Sequence, residues 1–216
     1  MEQRIPHVPP LPRIYLISSG EENPAHNGTR VHMQLNLLPR SLNCIIQIRE
    51  KQLNTRQLLM LAMKVREFDL PEGSLLFINE RVDIALAAAL DGVHLPESAC
   101  APDKLRPFAP KLRFGCSVHS PESLLMAEKS GANYILFSPV FETPSKRKYG
   151  APQGLEKLGE ICRTTSLPVF ALGGITPENA SHCMAEGAYG IAALSIFQDF
   201  ERFVDTLEYF HQIVSP

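Results

Sequence analysis

Several features that would point directly to a class of protein are missing from this sequence of 216 residues. No apolar run is long enough to span a bilayer, no tract of lysine or arginine occurs, and the net charge is only −2. Bulk electrostatics therefore gives no reason to expect a nucleic acid or a membrane surface as a partner. Because no basic segment leads into an apolar core near residue 1, we expect no secretory signal and a cytoplasmic protein.

Cysteine is scarce and scattered. The chain has five cysteines, an odd number, and none forms a C-x-x-C pair. This pattern disfavours a disulfide framework and a zinc site, and it predicts reduced, mostly buried thiols. The cysteines are Cys44, Cys100, Cys116, Cys162 and Cys183.

The chain also lacks a glycine-rich G-x-G-x-x-G motif after its first predicted strand, which argues against a dinucleotide-binding open sheet. Instead, short apolar strands alternate with helices about eight times, at intervals of roughly 20 to 30 residues. Strict alternation implies a parallel sheet covered by helices, and eight units in this length predict an α/β fold, a single (β/α)8 TIM barrel. We place the proline-rich residues 1–12 in a tail and residues 13–216 in one barrel domain. The predicted strands are residues 13–18, 44–49, 74–79, 92–95, 112–117, 133–137, 167–172 and 189–194.

The seventh predicted strand breaks at a glycine pair, Gly173 and Gly174, and a helix opens just beyond it. Thr176 suits the N-cap, and Pro177 suits the first helical position. Two glycines let backbone N–H groups approach a ligand closely, and a helix start favours an anion, so the stretch is a candidate phosphate cradle. An ordinary strand-to-helix turn explains it equally well. Ser195, where we expect the last helix to begin, would complete the cradle, because barrels often hold phosphate between the loops after strands seven and eight.

Polar side chains follow most of the predicted strands. Gln47, Arg49 and Lys51 lie two apart, so on a strand they share one face. Inside a barrel that face is costly for cations without an anionic partner, which points to an anionic ligand. The alternative is a structural ion pair between Arg49 and a carboxylate such as Glu80, with Glu50 helping to fix the turn. Further candidates at the same end of the barrel are Asn79, Glu80, His94, Ser117, His119, Thr143, Ser145 and Lys146.

The two histidines, His94 and His119, carry little weight alone. A single histidine at a strand end is more often a hydrogen-bonded structural residue than a base or a ligand. Neither a Ser–His–Asp triad nor a two-histidine metal site follows from the spacing. In the loop after strand six, the hydroxyls of Thr143 and Ser145 and the charge of Lys146 suit phosphate oxygens, although such loops are usually only solvated.

Seven segments together resemble the thiamine-phosphate synthase and thiazole tautomerase superfamily. Each segment is unspecific alone, but they occur in the expected order across nearly the whole chain. They are QIREK at 47–51, NERVD at 79–83, GVHL at 92–95, GCSVHS at 115–120, SPVFETPSK at 138–146, GGI at 173–175 and LS at 194–195.

The resemblance implies a barrel enzyme of thiamine biosynthesis. The synthase of this family is a transferase that joins an aminopyrimidine methyl diphosphate to a thiazole phosphate, releases pyrophosphate and uses Mg²⁺. By similarity, Gln47, Arg49, Lys51, Asn79, Ser117 and Lys146 would surround the diphosphate and the pyrimidine, and Arg49, Lys51, Ser117 and Lys146 would carry the catalysis. The phosphates, chiefly that of the thiazole, would face Thr143, Ser145, Gly173, Gly174 and Ser195, and Glu80 would bind the metal.

The sequence departs from this pattern at two places. The synthase pattern has aspartates at the positions of Glu80 and Ala99, so one metal ligand is lengthened and the other is absent, with Glu97 as a candidate replacement. The tautomerase branch has a histidine where this chain has Pro139, which carries no titratable group. The leading expectation is therefore the synthase. There are two alternatives. One is a tautomerase that uses His119, His94 or Glu142, and the other is a non-catalytic paralogue that binds phosphorylated thiazole. In each case we expect small phosphorylated partners, with a homodimer left open.

Overall fold

The computed structural model describes residues 10–18, 20, 30–143 and 151–215. Eight parallel strands close into a barrel in chain order, with β1 paired to both β2 and β8, which confirms the predicted (β/α)8 fold. The strands are β1 (Ile14–Ile17), β2 (Ile45–Ile48), β3 (Leu75–Asn79), β4 (Gly92–Leu95), β5 (Arg113–Val118), β6 (Tyr134–Phe137), β7 (Val169–Leu172) and β8 (Gly190–Ala193). The helices are α1 (Arg30–Leu37), α2 (Thr55–Arg66), α3 (Val82–Ala87), α4 (Pro102–Leu105), α5 (Pro121–Lys129), α6 (Gly154–Thr164), α7 (Pro177–Ala185) and α8 (Phe203–Val214). Residues 1–9 lie outside the described residues, so the proline-rich tail stays a prediction.

The expectation that Ser195 begins the last helix is wrong. A short 3₁₀ helix, Ser195–Gln198, follows β8, and α8 starts only at Phe203. Asp199 lies between the two in an extended conformation, and its side chain accepts hydrogen bonds from the backbone N–H groups of Glu201 (3.2 Å) and Arg202 (3.3 Å). An aspartate that binds its own downstream backbone favours a turn over a continuing helix.

Two apolar layers build the core. The larger one lies between the barrel and its surrounding helices, and the smaller one fills the barrel interior with the rings of Tyr15, Phe77, Tyr134 and Phe170. Successive side chains of a strand point to opposite faces, so each polar residue two positions beyond an interior residue also faces inward. Gln47 follows interior Ile45 in this way. The filled interior thus ends in a polar layer at the carboxyl ends of the strands. None of the helices among the described residues has the length and apolar composition needed to cross a membrane.

Close packing inside the barrel requires glycine at position 115. A Cβ added to Gly115 would lie 1.9 Å from Cζ of Tyr134, a contact that no side chain can make. We therefore expect Gly115→Ala to lower the free energy of unfolding by about 1–3 kcal/mol, the usual effect of overpacking a core. Urea denaturation would measure the loss.

Gly159→Ala is the matched control for Gly115→Ala. An added Cβ at Gly159, on α6, would first meet the carboxylate end of Glu186, which can swing away. Alanine also favours the helical backbone more than glycine does. We expect the control to be neutral or stabilising, and equal losses in the two variants would contradict the proposed packing effect.

Candidate active site

A chain of amide and carboxylate groups crosses the barrel mouth from β2 to β3. The Nε2 group of Gln47 donates to Oδ1 of Asn79 at 3.2 Å, and Nδ2 of Asn79 donates to Oε2 of Glu80 at 2.8 Å. Gln47 is only 1% exposed, and its Oε1 atom is buried with no hydrogen-bond partner among the described residues.

The carboxylate of Glu80 determines which group donates in each of these hydrogen bonds. An ionised carboxylate only accepts hydrogen bonds, so Asn79 must turn its NH₂ group toward Glu80. The carbonyl oxygen of Asn79 then faces Gln47, which must offer its own NH₂ group. Oε1 of Gln47 is therefore left as a buried acceptor. Native structures rarely leave such an atom unpaired, so a ligand or an ordered water would donate to it.

A second polar cluster descends into the barrel interior. Nε2 of His94 lies 2.9 Å from Oγ of Ser117, Nδ1 lies 3.4 Å from the hydroxyl of Tyr134, and that hydroxyl lies 2.8 Å from the hydroxyl of Tyr15. Burial lowers the pKa of His94 to about 3, with smaller contributions from the positive charge of Arg49 and from His119. His94 is therefore neutral near pH 7, so it serves as a hydrogen-bonding residue and not as a cationic one.

The buried imidazole should make stability depend on pH. In the unfolded chain His94 takes up a proton near pH 6.5, whereas in the folded barrel its pKa is about 3. The unfolded state binds more protons between these values, so stability falls as the pH drops below 6.5. For this residue alone we expect a loss of about 2 kcal/mol between pH 7.5 and pH 5.

Urea denaturation at pH 7.5 and pH 5 would measure this contribution in the wild type and in His94→Gln, which has no titratable group there. The variant should lose about 2 kcal/mol less than the wild type over this interval. Equal losses would show that His94 does not remain neutral in the folded chain.

Arg49 lies at the mouth just beyond β2. Its backbone N–H donates to Oγ of Ser18 at 2.8 Å, and the buried Glu50 accepts from the backbone N–H of Gly20 (3.2 Å) and from Nε2 of Gln52 (3.0 Å). Glu50 thus fixes the turn, as expected. Within the described ranges Arg49 forms no ion pair with a carboxylate. The alternative interpretation, an ion pair with a carboxylate such as Glu80, is therefore not found among these residues.

Lys51 falls outside the strand-face pattern that we predicted for it. Strand β2 ends at Ile48, and Lys51 is exposed in the turn that follows. Beyond the end of a strand the alternation of faces no longer applies. Its role at the site stays a prediction.

The glycine pair after β7 lets another loop approach closely. Gly173 and Gly174 have φ values of 98° and 65°, in the left-handed region that favours glycine. A Cβ on Gly173 would lie 2.7 Å from Cα of Pro139, and a Cβ on Gly174 would lie 2.5 Å from the carbonyl oxygen of Glu142. The backbone N–H of Phe141 also donates to the carbonyl of Gly173 at 3.0 Å. The pair therefore seats the loop after β6, and its use as a phosphate cradle stays a prediction.

The remaining candidates around this loop are only partly described. Thr143 is half-buried and Ser195 is exposed at the start of the 3₁₀ helix, whereas Ser145 and Lys146 lie outside the described residues. Nδ1 of His119 donates to the carbonyl of Ser138 at 2.6 Å.

The sequence analysis did not identify Ser18, Tyr15 and Tyr134 as residues of the site. The two tyrosines carried a usable signal, because each is the one polar side chain of a short apolar strand, and a buried tyrosine hydroxyl normally has a hydrogen-bond partner. Ser18 gave no such signal.

Glu80 is the residue that we predicted to bind the metal, and this role stays a prediction. Its φ of 61° is unusual for a residue other than glycine, and its backbone N–H donates to the carbonyl of His94 at 2.9 Å. The second metal position of the family pattern is Ala99, which is packed against the outer apolar layer, and in the described part of the chain no three His, Cys, Asp or Glu side chains form a metal-binding group. Mg²⁺ is commonly held by one or two carboxylates together with substrate phosphates. Glu80 thus fits an ion shared with a diphosphate, not one enclosed by protein ligands.

The fold and the mouth define the class of the protein. It is a single (β/α)8 barrel in which the amides of Gln47 and Asn79, the hydroxyl of Ser117 and the half-buried Arg49 lie at the carboxyl ends of the strands, where barrel enzymes place their active sites.

The comparisons with known proteins identify the family. The family model described as thiamine monophosphate synthase matches residues 14–197. A putative thiamine-phosphate synthase 2 of Aquifex aeolicus (strain VF5) is 41% identical over 187 residues, which cover 87% of this chain and 98% of that protein. A thiamine-phosphate synthase of Methanoculleus marisnigri is 40% identical over 152 residues, 70% of this chain and 72% of that protein. The chain therefore belongs to the thiamine monophosphate synthase family, as its seven segments predicted.

A solved structure agrees with this membership. The thiamine phosphate pyrophosphorylase from Pyrococcus furiosus superposes with a TM-score of 0.79 at 31% identity and covers 94% of this chain and 95% of its own.

Proposed function

We propose that this protein is a transferase that couples hydroxymethylpyrimidine diphosphate to a thiazole phosphate and gives thiamine phosphate and pyrophosphate. One observation carries the proposal: among the described residues, Gln47 on β2 has a buried acceptor without a hydrogen-bond partner, and Arg49, just beyond the end of β2, has no ion pair. An aminopyrimidine diphosphate offers the complementary groups. Its exocyclic amine would donate to Oε1 of Gln47, and its diphosphate would lie against Arg49.

Loss of pyrophosphate determines what the residues must do. The C–O bond to the leaving diphosphate breaks with its electron pair on oxygen, and the thiazole nitrogen gives its lone pair to form the new C–N bond. Arg49, Lys51 and Lys146 would stabilise the charge that grows on the leaving oxygens, and Ser117 would donate a hydrogen bond to them. Glu80 would hold Mg²⁺ against the diphosphate, where it supplies further charge neutralisation.

The second substrate would bind on the opposite side of the mouth. Thr143, Ser145, Gly173, Gly174 and Ser195 belong to the loops after β6, β7 and β8 and would hold the phosphate of the thiazole. As a biosynthetic enzyme that acts on small molecules, the protein would work in the cytoplasm.

The geometry favours this reaction over isomerisation of a thiazole. Pro139 cannot carry the proton that a tautomerase transfers from this position. Both ring nitrogens of His94 lie within hydrogen-bond distance of protein hydroxyls, and burial keeps the ring neutral, so it is a poor replacement base.

A pyrophosphate assay tests the proposal. The purified full chain is given both substrates, each substrate alone, and both substrates with the Mg²⁺ removed by a chelator. We expect pyrophosphate only with both substrates and Mg²⁺. No pyrophosphate in that arm would overturn the proposal, and isomerisation of a thiazole carboxylate phosphate by the same preparation would assign the tautomerase reaction instead.

A further inference from the structure

The hydroxyl of Ser117 ends a buried row of hydrogen bonds. The row begins at Tyr15, passes through Tyr134 and His94, and reaches Ser117 at the polar layer, with links of 2.8, 3.4 and 2.9 Å. Both tyrosines are fully buried and His94 is 4% exposed, whereas Ser117 is partly exposed at the mouth. Ser117 thus joins the interior of the barrel to the candidate active site.

Hydrogen-bonding rules allow the row only two directions. A neutral imidazole has one N–H donor and one acceptor nitrogen, and each hydroxyl has a single proton to donate. In one direction the protons point from Tyr15 toward Ser117, so Tyr134 donates to Nδ1 of His94 and Nε2–H donates to Ser117. In the other direction Ser117 donates to Nε2, and the proton of Tyr15 is left at the buried end.

The surroundings of Tyr15 decide between the two directions. Its ring is enclosed by the edges of Phe77 and Phe170 and by Tyr134, and the structure gives its hydroxyl no hydrogen-bond partner other than Tyr134 among the described residues. The second direction would bury an unpaired O–H donor there, which carries the full desolvation penalty of that group. The first direction uses every proton in the interior and leaves only that of Ser117 to be donated outward.

We propose that Tyr134 is a positioning residue for Ser117: by donating to Nδ1 it holds the proton of His94 on Nε2, so that Ser117 donates its own proton to an anionic oxygen of the bound substrate. Tyr15 supports this arrangement because it donates to Tyr134 and occupies that hydroxyl as an acceptor. The direction of the row is a property of the protein alone. Only the identity of the oxygen, on the leaving diphosphate, rests on the proposed function.

Nitrogen-15 NMR of the full-length protein measures the direction without any activity. At pH 7.5 the imidazole of His94, assigned by its loss in His94→Gln, should carry its proton on Nε2 and leave Nδ1 unprotonated. A proton on Nδ1 in the wild type would overturn the proposal, whether or not pyrophosphate is released. Failure of the pyrophosphate assay with Nε2 protonated would instead overturn only the proposed function.

The variant Tyr134→Phe tests the positioning role. It removes the donor to Nδ1, so the proton of His94 should no longer be confined to Nε2, and kcat should fall on the order of fivefold with little change in KM. Tyr189→Phe is the matched control, because it also loses a tyrosine hydroxyl bond, to the carbonyl of Leu11, but lies before β8 at the other end of the barrel. We expect its kcat and its His94 spectrum to match the wild type.

Two results with these variants would overturn the positioning role. One is a folded Tyr134→Phe protein whose kcat stays within twofold of the wild type. The other is an equal fall of kcat in the Tyr189→Phe control. If Tyr134→Phe does not fold, the wild-type spectrum still decides the direction of the row.

Discussion

Replacing Arg49 by alanine should reduce kcat by about 10²–10³-fold while the barrel stays folded, because a preorganised group that stabilises charge in the transition state has an effect of this size. Arg49 is half-buried at the mouth, and its positive charge contributes to the lowered pKa of His94. It forms no ion pair within the described ranges. Its anchoring to Ser18 runs through the backbone N–H, which alanine keeps. The variant should therefore lose turnover without losing the local fold.

Arg81→Ala is the control for this loss of charge. Arg81 lies at the same end of the barrel, just after β3, but its Nε and Nη2 atoms already bind the carboxylate of Asp83 at 2.9 and 2.6 Å. Removing an arginine that is already paired should change kcat by less than about threefold. Steady-state pyrophosphate release measures both variants, with circular dichroism as the check on folding. Turnover in Arg49→Ala similar to that in Arg81→Ala would remove Arg49 from the proposed mechanism.

The barrel could be predicted from the sequence because each strand is a short apolar run between turn signals. Strand β4 was predicted at its observed bounds, Gly92–Leu95. Strand β7 begins two residues later than predicted, at Val169. The residue before it, Pro168, has no N–H to donate to a strand ladder, which explains the late start.

Some of the site residues at the strand ends could also be predicted from sequence patterns. Alternation of faces placed Gln47 at the mouth, whereas Arg49, like Lys51, lies beyond the end of β2, and the family segments added Asn79 and Ser117. The orphaned oxygen of Gln47 could not be predicted, because it depends on how the side chains of Asn79 and Glu80 orient each other.

Sequence patterns could not predict contacts between strands that are far apart in the sequence. Tyr134 and His94 are 40 residues apart and meet only because the barrel closes. The glycine pair shows the same limit. The sequence indicated either a phosphate cradle or an ordinary strand-to-helix turn at Gly173 and Gly174 and could not decide between them. The structure places the loop after β6 there.

Because the loop after β6 packs against Gly174, we expect the substitution Gly174→Ala to have a large effect on catalysis. An alanine at Gly174 would have to adopt a φ of 65°, and its Cβ would lie 2.5 Å from the carbonyl oxygen of Glu142 and 2.8 Å from Cβ of Phe141. One of these contacts involves backbone, so the loop must move. Thr143 follows directly in this loop. Because misplacing a binding group by about 1 Å can cost on the order of 10²-fold, we expect kcat/KM for the thiazole phosphate to fall by about that factor.

Gly131→Ala separates movement of the loop from simple backbone strain. Gly131 has a φ of 76°, close to that of Gly174, but it lies between α5 and β6 at the opposite end of the barrel, and the nearest atom to an added Cβ would be Nη2 of Arg106 at 4.0 Å. Both variants should therefore lose about 1–2 kcal/mol of stability in thermal unfolding from the left-handed backbone, and Gly174→Ala should lose more because its Cβ also clashes with the loop. Only Gly174→Ala should lose kcat/KM when the thiazole phosphate is varied at saturating pyrimidine diphosphate. Equal catalytic effects in the two variants would mean that the loop after β6 does not position the second substrate.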